Sequence, residues 1–309
     1  MKKTKTKPKI SYRLMKRSEL LSAVRILIRS YNNFLRKTGR KPQVKPSQIK
    51  EASSYVNHLY TTDPKGCFGA YLDGRMVGFG HALMRGKQWY LANLFVEPSK
   101  QLSGVGRELL KRIIKYANGK ADSYSLCTFC NNETALGIYS SFGFMPLDTI
   151  FEFILKPRGK KINFIDTGLK KVEVITYKSL LRINKLEKEI RGYARLVDLN
   201  FFLEDKTYKV FDFYKGKKWV GYSVVKSNLE LAPAGAVEPK YLPLILAETV
   251  KDCVENKAKF IRIWAGTENE AVFRQLKSYG FRIREMNAFL GTKKYADMQR
   301  YIPASLAQF

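Results

Sequence analysis

The chain has 309 residues, 56 Lys and Arg against 27 Asp and Glu, a net charge of +29, and 45% hydrophobic with 13% aromatic residues. Such a chain can bury a core and is not disordered overall, while two His and four Cys leave little room for His-based metal sites, Ser-His-Asp hydrolysis or a disulfide scaffold. No apolar run nears the roughly 18 residues that span a bilayer, and the basic start has no apolar stretch behind it as a signal peptide would, so the expectation is a soluble, cytoplasmic protein with no membrane partner and no bound metal.

The charge is uneven. Residues 1–50 hold 16 Lys and Arg and one acid, Glu19. Residues 1–10 read as a basic tail, and Arg36–Lys50, with Gly39, Pro42 and Pro46, reads as a basic loop. A surface of one sign attracts counter-charge. Residues 1–50 therefore point to an anionic partner (an acidic substrate, RNA or the ribosome), with a solubilising tail as the plain alternative.

In chain order, 11–17 reads as a strand. Ser18 reads as a helix cap before Leu20, Leu21, Val24, Leu27, Ile28, Tyr31 and Leu35 at helical spacing. A second helix runs from Ser47 to about Tyr60. Residues 67–72 and 75–84 form a hairpin about Asp73–Gly74, and 88–96 add a third strand. A helix over Gly104–Ala117, a strand over 123–130, a helix over Asn132–Phe142 and a strand over 147–155 complete an α/β unit on a mixed sheet. The second half repeats this order. Residues 209–225 resemble 67–83, Val237-Glu238-Pro239 echoes Val96-Glu97-Pro98, and Gly280–Phe281 echoes Gly143–Phe144. An internal repeat of this length implies two copies of one fold. The division expected is a tail at 1–10, a first domain at 11–155, a Lys-rich linker at 156–171, a second domain at 172–292 and a C-terminal tail at 293–309.

The segment that carries chemistry is 94–110 (LFVEPSKQLSGVGRELL). A strand ends at Val96, and a loop leads to Gly104-Val105-Gly106 where a helix starts. The first helical N–H groups lack internal partners and sit at the positive end of the helix dipole, which suits a diphosphate. No third Gly follows at the dinucleotide-fold spacing, and no Gly-Lys-Ser/Thr closes a P-loop.

These residues resemble the acyl-CoA loop of the GNAT superfamily of N-acetyltransferases, with Val96, Pro98, Gln101, Gly104 and Gly106 in place. Asn132, Ala135, Tyr139, Gly143 and Phe144 match its second signature. The resemblance covers roughly residues 11–155 and implies tandem GNAT-like domains with an intact first copy. It implies an acetyl-CoA donor and a primary-amine acceptor, with the amine attacking the thioester directly. The pantetheine arm would bond to the main chain of Leu94, Phe95 and Val96. The diphosphate would lie on the amides of Gln101, Leu102, Ser103, Gly104, Val105 and Gly106. Asn132 would approach the pantetheine arm, and Tyr139 would protonate the departing thiolate. On helical spacing alone Tyr139 reads as core, and the family pattern reverses that.

No Asp, Glu or His lies between Gln88 and Val96, so the general base is unassigned. Glu97 reads as a solvated turn acid. Trp89, Tyr90 and Asn93 either line an acceptor pocket or pack in the sheet. Aligning Val237 with Val96 puts Leu242, Ile245 and Ala247 opposite Gln101, Gly104 and Gly106, and Leu276 opposite Tyr139, so the second copy is expected to bind no CoA. Cys127-x-x-Cys130 lacks a second ligand pair and does not read as zinc. The alternative function is a nucleic-acid- or ribosome-associated binding protein with a regulatory or vestigial CoA site.

Overall fold

The computed structural model describes residues 10–42, 49–157, 162–227 and 231–307. Residues 1–9 of the expected basic tail, the middle of the basic loop at 43–48 and the linker residues 158–161 lie outside the described residues, and Ile10, counted with the tail, opens the first strand. The chain forms two compact units. One comprises residues 1–84 and 89–122, and the other 85–88 and 123–309.

The first unit holds β1 (Ile10–Leu14), α1 (Leu20–Lys37), α2 (Ile49–Thr62), β2 (Cys67–Leu72), β3 (Arg75–Arg85), β4 (Gln88–Val96) and α3 (Val105–Tyr116). The strands lie in the order β1-β2-β3-β4, with β1 antiparallel to β2 and β2 to β3. The Asp73–Gly74 turn between β2 and β3 takes positive φ at both residues, the geometry a two-residue hairpin loop requires. One face of the sheet buries Phe79, Met76 and Tyr71 with Leu20, Val24 and Ile28 of α1 and Val56 of α2. α3 covers the other face at short range. A Cβ at Gly80 would come 2.4 Å from Ile113 Cδ1, so that strand position must lack a side chain.

The second unit begins with β5 (Ser123–Phe129), α4 (Glu133–Ser140) and β6 (Met145–Leu155). Next come β7 (Leu169–Glu173), α5 (Tyr177–Arg191), α6 (Leu196–Glu204), β8 (Tyr208–Lys215), β9 (Lys218–Lys226) and β10 (Leu231–Ala236). It ends with α7 (Leu242–Glu255), β11 (Ile261–Gly266), α8 (Glu270–Ser278), β12 (Arg282–Gly291) and β13 (Tyr301–Ile302). Its strands form two arrays, β5-β12-β6-β11 and β13-β10-β9-β8-β7.

Two pairings depart from the sequence reading. Residues 147–155 were expected to close the first copy. Instead β6 pairs with β11, and β12 from the far end of the chain pairs with β5. The two copies have exchanged their last strands, which then pair antiparallel with each other through most of their length. The expected C-terminal tail also carries structure. Tyr301 and Ile302 form β13 on the edge of β10 and are almost completely buried. A strand edge offers unpaired N–H and C=O groups, and β13 satisfies those of β10. The unit's main core joins Phe153 and Leu155 of β6, Phe213 of β8, Ile261 and Ile263 of β11 and one face of α7.

Candidate functional site

β4 ends at Val96, a short 3-10 turn spans Pro98–Lys100, and α3 starts at Val105. Gly104 is the N-cap residue, in the left-handed region at φ 83°, and no side chain caps the helix. Leu102 also takes positive φ, 63°, and is 85% exposed. A branched apolar residue held in that conformation and left in water is costly locally, and such strain gathers at ligand-binding turns. The loop is braced from inside. Ser103 Oγ donates to the Lys100 carbonyl at 2.7 Å, and Gln101 Nε2 donates to the Val96 carbonyl at 3.2 Å. Ser30 Oγ of α1 donates to the same Val96 carbonyl at 2.7 Å. Of the strand groups expected to face pantetheine, the Val96 carbonyl is therefore already taken. No protein atom lies within 4 Å of a Cβ built on Gly104, and one on Gly106 would meet only Val96 Cγ2 at 3.7 Å. The helix start thus presents open amides, with Gln101, Leu102, Ser103, Gly104, Val105 and Gly106 forming one continuous loop.

Trp89, Tyr90 and Asn93 are buried in β4, at 0, 1 and 6% exposure. The Asn93 Nδ2 has no hydrogen-bond partner among the described residues. His81 of β3 is fully buried, and neither ring nitrogen has a partner there. Burial pushes its pKa down to about 3, so the ring is neutral. It packs edge-on against Phe79, which stacks on Phe95. The sequence reading passed over His81, because a lone His in an apolar strand carries no spacing signal. Glu97, read as a solvated turn acid, is bridged by Arg29 Nε at 3.2 Å.

The second unit holds the two other family positions. Asn132 caps α4, its Oδ1 accepting from the Ala135 N–H at 3.2 Å. Tyr139 is 7% exposed and packs edge-on against Phe144. Burial raises its pKa, which keeps the phenol protonated. Among the described residues its hydroxyl takes no hydrogen bond. Gly143, at φ 84°, ends the helix.

The second copy differs from the first at the helix start and at the position of Tyr139. A short turn at Pro239–Tyr241 runs straight into α7, and Leu242, Ile245 and Ala247 are buried in the main core. Leu276, opposite Tyr139, is fully buried. Asn269 caps α8 as Asn132 caps α4, with Oδ1 accepting from the Val272 N–H at 3.0 Å. Its Nδ2, however, donates to the Gln299 carbonyl at 2.9 Å. Next to β13, the Ala236 N–H donates to the Arg300 carbonyl at 3.0 Å. The chain's own C-terminal segment therefore takes the edge of β10 and the amide of Asn269.

Beside these lies a buried ionic cluster. Glu187 of α5 accepts from Arg195 Nη2 at 2.7 Å and Arg191 Nη1 at 3.1 Å, and also from the Tyr222 hydroxyl. Both arginines also donate to the Tyr301 hydroxyl of β13, at 2.8 and 2.9 Å. Burial alone would raise the Glu187 pKa, but the two guanidinium charges outweigh it and hold it below its usual range.

Among the described residues no three His, Cys, Asp or Glu gather as a metal-binding group, and no helix is long and apolar enough to cross a membrane. Cys127 and Cys130 are not joined in a disulfide.

The α/β fold with its repeated meander is that of the GNAT-type acyl-CoA N-acyltransferases. Residues 32–144 match the model of the acetyltransferase (GNAT) family, and the chain has the fold of tandem GNAT-like domains. No curated protein matches the sequence. A Pyrococcus horikoshii protein assigned as an acetyltransferase is 18% identical, with a TM-score of 0.78 over 97% of this chain and 96% of its own. A GCN5-related N-acetyltransferase from Sphaerobacter thermophilus is 11% identical, with a TM-score of 0.66 over 94% and 98%. A tandem GNAT protein from the clavulanic acid biosynthesis pathway is 10% identical, with a TM-score of 0.61 over 92% and 98%. At these identities the likeness is one of fold.

Proposed function

We propose that the protein is an acetyl-CoA-dependent N-acetyltransferase of the cytoplasm that acetylates a primary amine. The observation that carries the reading is the helix start at Gly104, uncapped and preceded by a strained, exposed Leu102. Open backbone amides at the positive end of a helix suit the diphosphate of CoA. In this reading the remaining main-chain groups of Leu94, Phe95 and Val96 bond the pantetheine arm, and the Nδ2 of Asn132 takes one of its carbonyls.

The amine nitrogen attacks the thioester carbonyl, the C–S bond breaks, and the sulfur takes its proton from the Tyr139 hydroxyl. The phenol is suited to that role because burial keeps it protonated until a thiolate forms beside it. The amine's own proton leaves through water or a base. The protein's contribution is orientation and proton handling. Trp89, Tyr90 and Asn93, with His81, are the polar and aromatic candidates for the acceptor side.

Titration calorimetry with CoA tests the donor site. Wild-type chain should bind, and Gly106→Val should not. Equal affinity in the two would remove the loop from the reading.

A further inference from the structure

On β6, Phe153 and Leu155 point into the main core, so Ile154 and Glu152 face the other side of the strand. Arg262 of β11 and Arg282 of β12 both stand in register with Ile154, one on each flank. Around them is an open depression of about 620 Å³, lined chiefly by Ile154, Lys156, Phe260, Arg262, Arg282 and Arg284. Among the described lining residues four are cationic and none is acidic. One carboxylate stands behind them. Glu152, 4% exposed, accepts from Arg284 Nε at 2.9 Å and lies 3.0 Å from Arg262 Nε. It hydrogen-bonds the Arg284 guanidinium, stands beside that of Arg262 and offsets one positive charge. Lys156 and Arg282 are exposed and make no ion pair among the described residues. The Arg262 guanidinium also sits 5.6 Å from the ring centres of both Phe260 and Trp264.

We propose that this depression binds single-stranded nucleic acid. A bare inorganic anion would use the cations but would have no use for Ile154 and Phe260. An apolar floor with an aromatic ring and neighbouring guanidinium planes is a stacking surface for bases, and the cations at its rim suit the phosphates between them. A duplex turns its base faces inward and offers Phe260 nothing to stack on. Three adjacent strands give a width of roughly 10 Å, room for one or two nucleotides. The net charge of +29 extends beyond this patch and raises the encounter rate with any polyanion. The proposal is independent of the acetyltransferase reading and of the basic residues 1–50.

The test is fluorescence anisotropy of the full chain with a labelled oligouridylate of about 12 nucleotides, at salt from about 0.05 to 0.2 M. Lys156→Gln with Arg282→Gln should lose about tenfold in affinity, and its log–log salt slope should shrink by about 1.4, the share of two phosphate contacts. Phe260→Leu should weaken binding severalfold with the slope unchanged, because stacking releases no counterions. Both substituted cations are unpaired, so the thermal midpoint should not move, and Lys156→Gln alone provides a second, milder variant. Wild-type affinity in the charge variants would overturn the proposal. So would competition by inorganic pyrophosphate as strong as that of the oligonucleotide, or equal affinity for duplex.

Discussion

The Nδ2 of Asn269 donates to the main-chain carbonyl of Gln299 at 2.9 Å, while its Oδ1 caps α8. Asn132 caps α4 in the same way, and among the described residues its Nδ2 has no partner. At Asn269 the amide left over from capping holds an extended chain by its carbonyl. In the second copy the protein supplies that chain itself.

Asn132→Ser should separate the two roles of this residue. Ser caps as well as Asn, so the thermal midpoint should hold. The amide donor is lost, and CoA affinity should fall about five- to tenfold, the value of one hydrogen bond. Calorimetry beside a melting curve reads both effects.

Gly104→Val and Gly106→Val should each abolish measurable CoA binding. At 104 the backbone itself is strained, because an L side chain at φ 83° costs about 1–2 kcal/mol. At 106 the fold has room, with the nearest contact at 3.7 Å. Loss of binding there with an unchanged melting curve would be steric exclusion of the ligand alone.

Tyr139→Phe should lower kcat by about 10² to 10⁴, the range for a general acid, and leave CoA affinity unaltered. Burial raises the phenol's pKa, so its proton stays in place across the neutral and mildly alkaline range. Any loss of rate on the acid side should follow the amine and persist in Tyr139→Phe. A pH–rate profile of both proteins with a reactive amine checks this.

Glu187→Ala should cost about 3–5 kcal/mol, because it leaves Arg191 and Arg195 buried and uncompensated. Tyr301→Phe should cost less, about 1–3 kcal/mol, for the acceptor it removes. Chemical denaturation reads both, and a near-neutral result for Glu187→Ala would mean that water reaches the cluster.

Glu19 lets pH report on the first unit. Hydrogen bonds from Arg13, at 3.0 and 2.7 Å, lead the effects that lower its pKa to about 2. The folded value lies below the unfolded one, near 4.5. The stabilisation is therefore complete above about pH 4.5 and drains away as pH falls from there towards 2. Glu19→Gln should flatten the acid limb of stability in that window and leave stability near pH 7 lower by a small amount, since the pair is partly exposed.

The meander, the glycine-bearing helix start, the capped Asn before Tyr139 and the repeat were legible because each is a local matter. Alternation, helical spacing, turn residues and missing side chains act over a few neighbours, and a family motif is a fixed spacing of such residues. That the matching turn of the second copy lacks glycine was legible in the same way, from Ile245 and Ala247 standing opposite Gly104 and Gly106.

Other features were settled only by long-range pairing. β6 and β12 carry similar strand sequences at similar places in their copies, and nothing within either says which neighbour it will join, so the exchange became visible only in the sheet. Tyr301 and Ile302 look like a short piece of tail until the edge of β10 and two buried guanidiniums are there to receive them. The basic depression joins β6 to two strands that lie more than a hundred positions further along the chain. The sequence by itself determined which segments are strands and helices and which helix start carries glycine. The tertiary structure decided which edges meet, because a strand's hydrogen bonds are satisfied by any partner in register and only the packed whole selects one.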